Sequence, residues 1–280
     1  KSVRFQKEEG KIFFVAENVP AFGCKCFEFV KTEKRPEFES TLSFDGKAAE
    51  NKFFKVIFDE TGSIVSITDK KHGRELVDPA APYKMNQFIY INAKEDRKTP
   101  GFEGIIEKAD ISCDIGSVKM VIKTRGNKGV EKGTDAIERS VILYEALDKI
   151  DFENYVLKKE APKKTDVNKN FRDYEDEEGF FAFPFKMENF KLKHEMGTGD
   201  VTPSAGSKVK GESDFLYSST TDFYTVHNWV DVGNGKDYGI IWTPVNSSLV
   251  QYGKRRSYWF DADYTTENPW IYSWVYNNKW

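Results

Sequence analysis

The stretch from Trp270 to Trp280 holds the densest group of side chains suited to gripping a ligand. Trp270, Tyr272, Trp274 and Trp280 offer flat aromatic faces, and Asn277 and Asn278 offer planar amides. Aromatic rings stack on the C–H faces of sugars, and planar amides bind paired hydroxyls. Asn277, Asn278, Trp280 and Trp274 are therefore candidate saccharide-binding residues. The competing reading is packing of an aromatic tail into a core or an interface, the commoner fate of large aromatics, and it is favoured. His227 joins the candidates with less support. It falls in an apparent strand with Trp229 on the same face, and a lone His without a placed partner reads first as a satisfied, partly buried imidazole. Acid–base work on a sugar ring would need a carboxylate across from it. Asp231 or Glu178 could serve, although the spacing requires neither.

Other polar groups read as structural. Arg139 interrupts an apolar strand face formed by Ile137, Val141 and Leu143, so it must be paired or reach water; a structural ion pair is the expectation. Cys24, Cys26 and Cys113 are an odd number of thiols. Cys24 and Cys26 lie on one face of an expected strand, a poor geometry for a mutual disulfide. One close pair falls short of the two that cysteine metal sites commonly use, so three half-buried thiols and no metal in this chain are expected. Asn246-Ser-Ser fits a glycosylation acceptor, a triplet that is frequent by chance.

The elements that must position these groups are strands. In the run from Asn51 to Asp78, Phe54, Val56 and Phe58 alternate. After a turn at Asp59-Glu-Thr-Gly62 the alternation resumes through Ser63, Val65 and Ile67, and Lys71-His-Gly73 makes the next reversal. Ile12 to Val15 and Cys24 to Val30 read as strands around Asn18-Val-Pro-Ala-Phe-Gly23. Lys31 to Glu50 reads as a loop or weak edge. Asn86 to Ile91, Val118 to Thr124, Ile137 to Tyr144 and Ile150 to Val156 follow as strands. Lys158 to Glu178 is charged and reads as a solvated excursion. Phe180 to Phe185 returns to strand, with Pro184 marking an edge or an end. Gly197 to Gly211 reads as a long loop. Phe223 to Val232, Tyr238 to Trp242 and Ser247 to Tyr252 form a second meander. The aromatic tail reads as a short helix or a strand. More than a dozen strands need two packed sheets, so the expected fold is all-β, a large antiparallel two-sheet sandwich.

Composition narrows the function. Aromatics make up 15% of the 280 residues, which suits wide sheets, and the net charge of −3 leaves no basic stripe for nucleic acid. No apolar run approaches the roughly 18 residues of a membrane-spanning helix, so neither nucleic acid nor membrane is an expected partner. The chain starts without Met or a signal peptide and reads as a piece of something longer. The odd cysteine count assigns no compartment.

The Asn51–Asp78 run also resembles the opening of the C-terminal β-sandwich of family 38 glycoside hydrolases, the α-mannosidases. Further segments are similar in order and spacing. They are Asn18-Val-Pro-Ala-Phe-Gly23, Asn86-Gln-Phe88, Lys149-Ile-Asp-Phe152, Phe181-Ala-Phe-Pro-Phe185, Val226-His-Asn-Trp-Val-Asp-Val232 with Tyr238-Gly-Ile240, and Ile271 to Trp280. The resemblance implies a galactose-mutarotase-like supersandwich over residues 51–280, preceded in 1–50 by strands of a small linking sandwich. It implies a retaining α-mannosidase acting on mannosides. That enzyme's zinc and catalytic carboxylates would lie on a preceding N-terminal domain, the expected partner of this chain. The zinc-binding His-x-Asp of that domain is absent here, because His72, His194 and His227 are followed two places on by Arg74, Met196 and Trp229. The chain alone is therefore expected to be inactive. A free-standing mutarotase-like epimerase and a carbohydrate-binding module are the alternatives.

Overall fold

The computed structural model describes the chain except for residues 1, 34–35, 94–99, 162, 164–174, 198, 204–222, 256–265 and 279–280. The described residues form twenty-one strands and no helix, and every ladder is antiparallel. A hairpin of β1 (Phe5–Glu8) and β2 (Lys11–Phe14) leads. A five-stranded sheet follows in sequence order: β3 (Ser43–Phe44), β4 (Ala48–Glu50), β5 (Phe54–Phe58), β6 (Ile64–Asp69) and β7 (Arg74–Glu75). After β8 (Gln87–Ala93) and β9 (Pro100–Ile105) comes a four-stranded meander. It consists of β10 (Asp110–Ile115), β11 (Lys119–Gly126), β12 (Thr134–Tyr144) and β13 (Ile150–Lys158). The remaining strands are β14 (Glu177–Pro184), β15 (Lys191–Met196), β16 (Gly199–Val201), β17 (Tyr224–Thr225), β18 (Val230–Gly233), β19 (Gly239–Trp242), β20 (Leu249–Tyr252) and β21 (Trp270–Asn277). They build a six-stranded sheet in the order β17-β20-β21-β14-β8-β9 and a second four-stranded sheet in the order β16-β15-β18-β19.

The six-stranded sheet buries apolar side chains on both of its faces. On one face Phe88, Tyr90, Phe181 and Phe183 share the main core with Ile122, Ile137 and Val141 of the meander and with Val56, Phe58 and Ile64 of the five-stranded sheet. Phe152 meets Phe183 edge-on at 5.5 Å across this interface. On the other face Ile89, Ile91, Phe180, Ala182, Tyr272 and Trp274 form a second core. Burial on both faces explains why β14 reads Phe-Phe-Ala-Phe without polar alternation and is buried throughout. Pro184 ends that strand, where its missing N–H costs no ladder bond. The meander's outer strand β13, by contrast, alternates exposed and half-buried residues along much of its length. The result is the all-β, sandwich-like fold expected of the sequence, with several open sheets rather than two.

The Asp59–Gly62 turn is tied to a buried cation. Gly62 sits at φ +68°, and a Cβ there would come within 2.7 Å of Thr124. Arg139 is fully buried in β12. It donates to Thr124 Oγ1, Ser63 Oγ and the Asn86 carbonyl, each at 3.1 Å, and to the Thr61 carbonyl. The expected ion pair is therefore replaced by a set of neutral oxygens that bind the guanidinium. Burial pulls its pKa down to about 10.

Three other expectations are corrected. Cys24 to Val30 forms no strand, because nothing described pairs with it; Cys24 and Cys26 are exposed and Cys113 is half-buried, all as free thiols. The charged run ending at Glu178 is not solvated at its end, since Asp176, Glu177 and Glu178 are buried and the last two open β14; residues 164–174 lie outside the described residues. The expected loop from Gly197 contains a short strand, β16, before it passes outside the described residues. β3 pairs with β4, and β4 with β5, so this sheet begins inside the first fifty residues.

Candidate functional site

The aromatic tail is a strand, and the register of β21 against β14 sets the fate of each candidate in it. Pro184↔Trp270, Ala182↔Tyr272 and Phe180↔Trp274 place the three aromatics on the face of the second core. Trp274 is 6% exposed, stacks on Phe180 at 5.3 Å and meets Phe223 edge-on at 5.8 Å. Asn277 is half-buried opposite Glu178. Asn278 spends its amide on the backbone: its oxygen accepts the Glu177 N–H, and its nitrogen donates to the Glu175 carbonyl at 3.1 Å. Trp280 lies outside the described residues. His227 is exposed in the bend between β17 and β18, not half-buried in a strand, and its N–H donates to the Glu195 carbonyl at 2.9 Å. Asp231 lies in β18 of the smaller sheet and Glu178 in β14, so the structure does not gather these three groups into one constellation.

A polar network lies at the end of β14 on its main-core side. Glu177 is fully buried, accepts the Tyr90 hydroxyl and pairs with Lys158 at 2.6 Å. Beside it Asn92 donates to Glu175 at 2.7 Å, while Lys132 reaches Asn92 at 2.7 Å and Glu175 at 3.3 Å. Burial first, then the Glu177 hydrogen bond, pushes the Tyr90 phenol far above its ordinary value. With cations and donors consumed internally, this network holds the meander to the six-stranded sheet and leaves little for a ligand.

His194 was missed at the level of sequence, although its alternation with Leu192 was the available signal. Both point inward from β15. His194 is fully buried, with the rings of Tyr224 and Tyr252 at 5.3 and 5.8 Å. Neither ring nitrogen has a hydrogen-bond partner. Burial without compensation lowers its pKa to about 4, so the imidazole is neutral at physiological pH.

Among the described residues a groove open to solvent lies at the opposite end of β14. There the chain turns through residues 186–190 into β15, residues 267–269 lead into β21, and Asp78 closes the third side, enclosing a groove of about 430 Å³. Its walls are pinned to each other. Asp78 N–H donates to the Pro184 carbonyl and Lys186 N–H to the Leu76 carbonyl, both at 2.9 Å. The Asp78 carboxylate accepts the Ala80 N–H at 2.9 Å and the Trp270 indole at 3.0 Å. Asn189 takes the left-handed φ of +51° that tightens the turn. Phe190 adds an aromatic lining. Among the described residues no group of three His, Cys, Asp or Glu side chains is placed to hold a metal ion.

No protein-family model matches the chain, and no curated protein matches it. Solved structures do. An α-mannosidase from Enterococcus faecalis V583 superimposes with a TM-score of 0.55 and 15% identity, covering 86% of this chain and 27% of the enzyme. A glycosyl hydrolase family 38 protein from Enterococcus faecalis gives 0.54 and 14%, covering 86% and 28%. The chain thus spans about a quarter of the length of these proteins and has the β-sandwich fold of part of them.

Proposed function

We propose that this chain is the C-terminal, non-catalytic β-sandwich portion of a retaining, zinc-dependent α-mannosidase that acts on mannose-containing glycans. The observation that carries the reading is the fold likeness, which covers 86% of this chain but only 27% of an α-mannosidase. In this reading residues 51–280 are the galactose-mutarotase-like supersandwich, and the zinc and the attacking carboxylate belong to a domain outside this chain. The described residues offer no fitting ligand set for such a metal, so no chemical step is assigned to them. Exposed apolar side chains support a role alongside further polypeptide. Phe22 stands in the Pro20–Gly23 turn and Phe29 and Val30 in the unpaired segment after it, and Phe29 is 80% exposed. Such surface marks an interface in a soluble protein. The sandwich would then shape and stabilise the enzyme.

The test is hydrolysis of 4-nitrophenyl α-mannoside by the purified chain and by the longer polypeptide. The longer polypeptide should cleave it and lose activity on zinc chelation, while the chain alone should not, with or without added zinc. Turnover by the isolated chain, or none by the longer polypeptide, would overturn the proposal.

A further inference from the structure

We infer that the groove between residues 186–190 and 267–269 is a binding site for a neutral, hydroxyl-rich ligand, a saccharide. Its volume of about 430 Å³ falls within the range of about 300–1,000 Å³ typical of ligand sites. The lining supplies both halves of hydroxyl recognition. Glu188 and Glu267 can only accept hydrogen bonds, Lys186 can only donate, and Asn189 does both. A sugar hydroxyl is donor and acceptor at once, so vicinal hydroxyls can bridge such a set.

These side chains are unspent. Lys186, Glu188, Asn189 and Glu267 make no side-chain hydrogen bond or ion pair within the protein, although the groove brings opposite charges together. The frame around them, in contrast, is fixed through Asp78, whose two carboxylate oxygens are held by Trp270 and Ala80. The rigid frame lowers the ordering cost of binding, while fixing the free Lys and Glu side chains adds to it. Charge decides against anions: Asp78, Glu188 and Glu267 outnumber Lys186, so a phosphate would be repelled. Phe190 provides an apolar wall for the C–H face of a ring. The inference rests on the mannosidase reading only in its choice of mannose as the sugar to try first.

Affinity electrophoresis of the purified chain through gels containing yeast mannan tests the site, with a titration against methyl α-mannoside for the constant. The wild-type chain should be retarded, and Glu188→Ala/Glu267→Ala should weaken binding by at least about tenfold. Both substituted residues are exposed, so the urea midpoint should not move. Lys186→Ala, which deletes the donor, should also weaken retardation, and inorganic phosphate should not compete. Absence of retardation, or equal retardation of the double variant, would overturn the site. Absent mannan binding alongside mannosidase activity in the longer polypeptide would sink the groove alone. Mannan binding lost in the double variant, with an inactive longer polypeptide, would sink the enzyme reading alone.

Discussion

His194 makes stability depend on pH in a way that can be isolated. Its folded pKa, about 4, lies below the ordinary value of 6.5 because a fully buried ring between two tyrosines cannot hold a proton cheaply. Between those two values the unfolded chain binds the proton and the folded chain does not, so stability falls as pH drops from about 6.5 toward 4 and is unaffected above that window. A separation of about 2.5 units at about 1.4 kcal/mol each sets the ceiling at roughly 3 kcal/mol, of which some 2–3 kcal/mol is lost by pH 4.5. Replacing the imidazole by an apolar group of similar size, His194→Leu, removes the titration and a buried unsatisfied group together. Urea unfolding of both proteins at pH 7.5 and pH 4.5 gives four free energies. The carboxylates common to both cancel in the difference of differences. Wild type should lose about 2–3 kcal/mol more than the variant on acidification. An equal loss in the two proteins would refute the argument that this ring is dry and unpartnered.

Arg139→Met should cost about 4 kcal/mol in urea unfolding, because the Thr61 and Asn86 carbonyls are left buried without a donor. Gly62→Ala should cost about 2–3 kcal/mol, since a Cβ is both strained at φ +68° and within 2.7 Å of Thr124. Trp274→Ala should destabilise by about 3–5 kcal/mol as a core truncation; an unchanged urea midpoint would refute that packing role. The Asp69 carboxyl is pushed up by burial, but hydrogen bonds from His72 and Tyr238 outweigh this and hold it below its ordinary value. Tyr238→Phe should therefore reduce the acid-sensitive part of stability, read as a smaller loss between neutral pH and pH 3.

Local pattern carried most of the strand content. Phe54/Val56/Phe58 and Ile137/Arg139/Val141 alternate because one face of each strand is buried, and that is visible within five residues. Pairing that depends on distant partners was not legible. Cys24 to Val30 has a strand's composition, yet a strand exists only where another edge accepts its backbone. The acidic run at 176–178 reads as solvated because its composition says so. The groups that hold the Glu177 carboxylate, Tyr90 and Lys158, lie 87 and 19 residues away in the chain, and Asn278, which accepts its backbone N–H, lies 101 away. The groove was illegible for the same reason: Asp78, Lys186 and Glu267 become neighbours only through the register of β14 with β21 and the bridge from Val77 to Phe185. His194 was missed for a different reason: the signal was local, its alternation with Leu192 along β15, but no strand was read there.

The strand order of the six-stranded sheet constrains how the protein can be made. In β17-β20-β21-β14-β8-β9, β21 is the last of the six strands to be synthesised, and among the described residues it joins β20 to β14. Until Trp270–Asn277 emerges, both halves present bare backbone edges and aromatic flanks to the cytosol or lumen. At about 5–20 residues per second of synthesis, β14 waits several seconds for that strand. A nascent chain stalled before Trp270 should therefore be a strong client of holding chaperones, and synthesis through Asn277 should end that dependence.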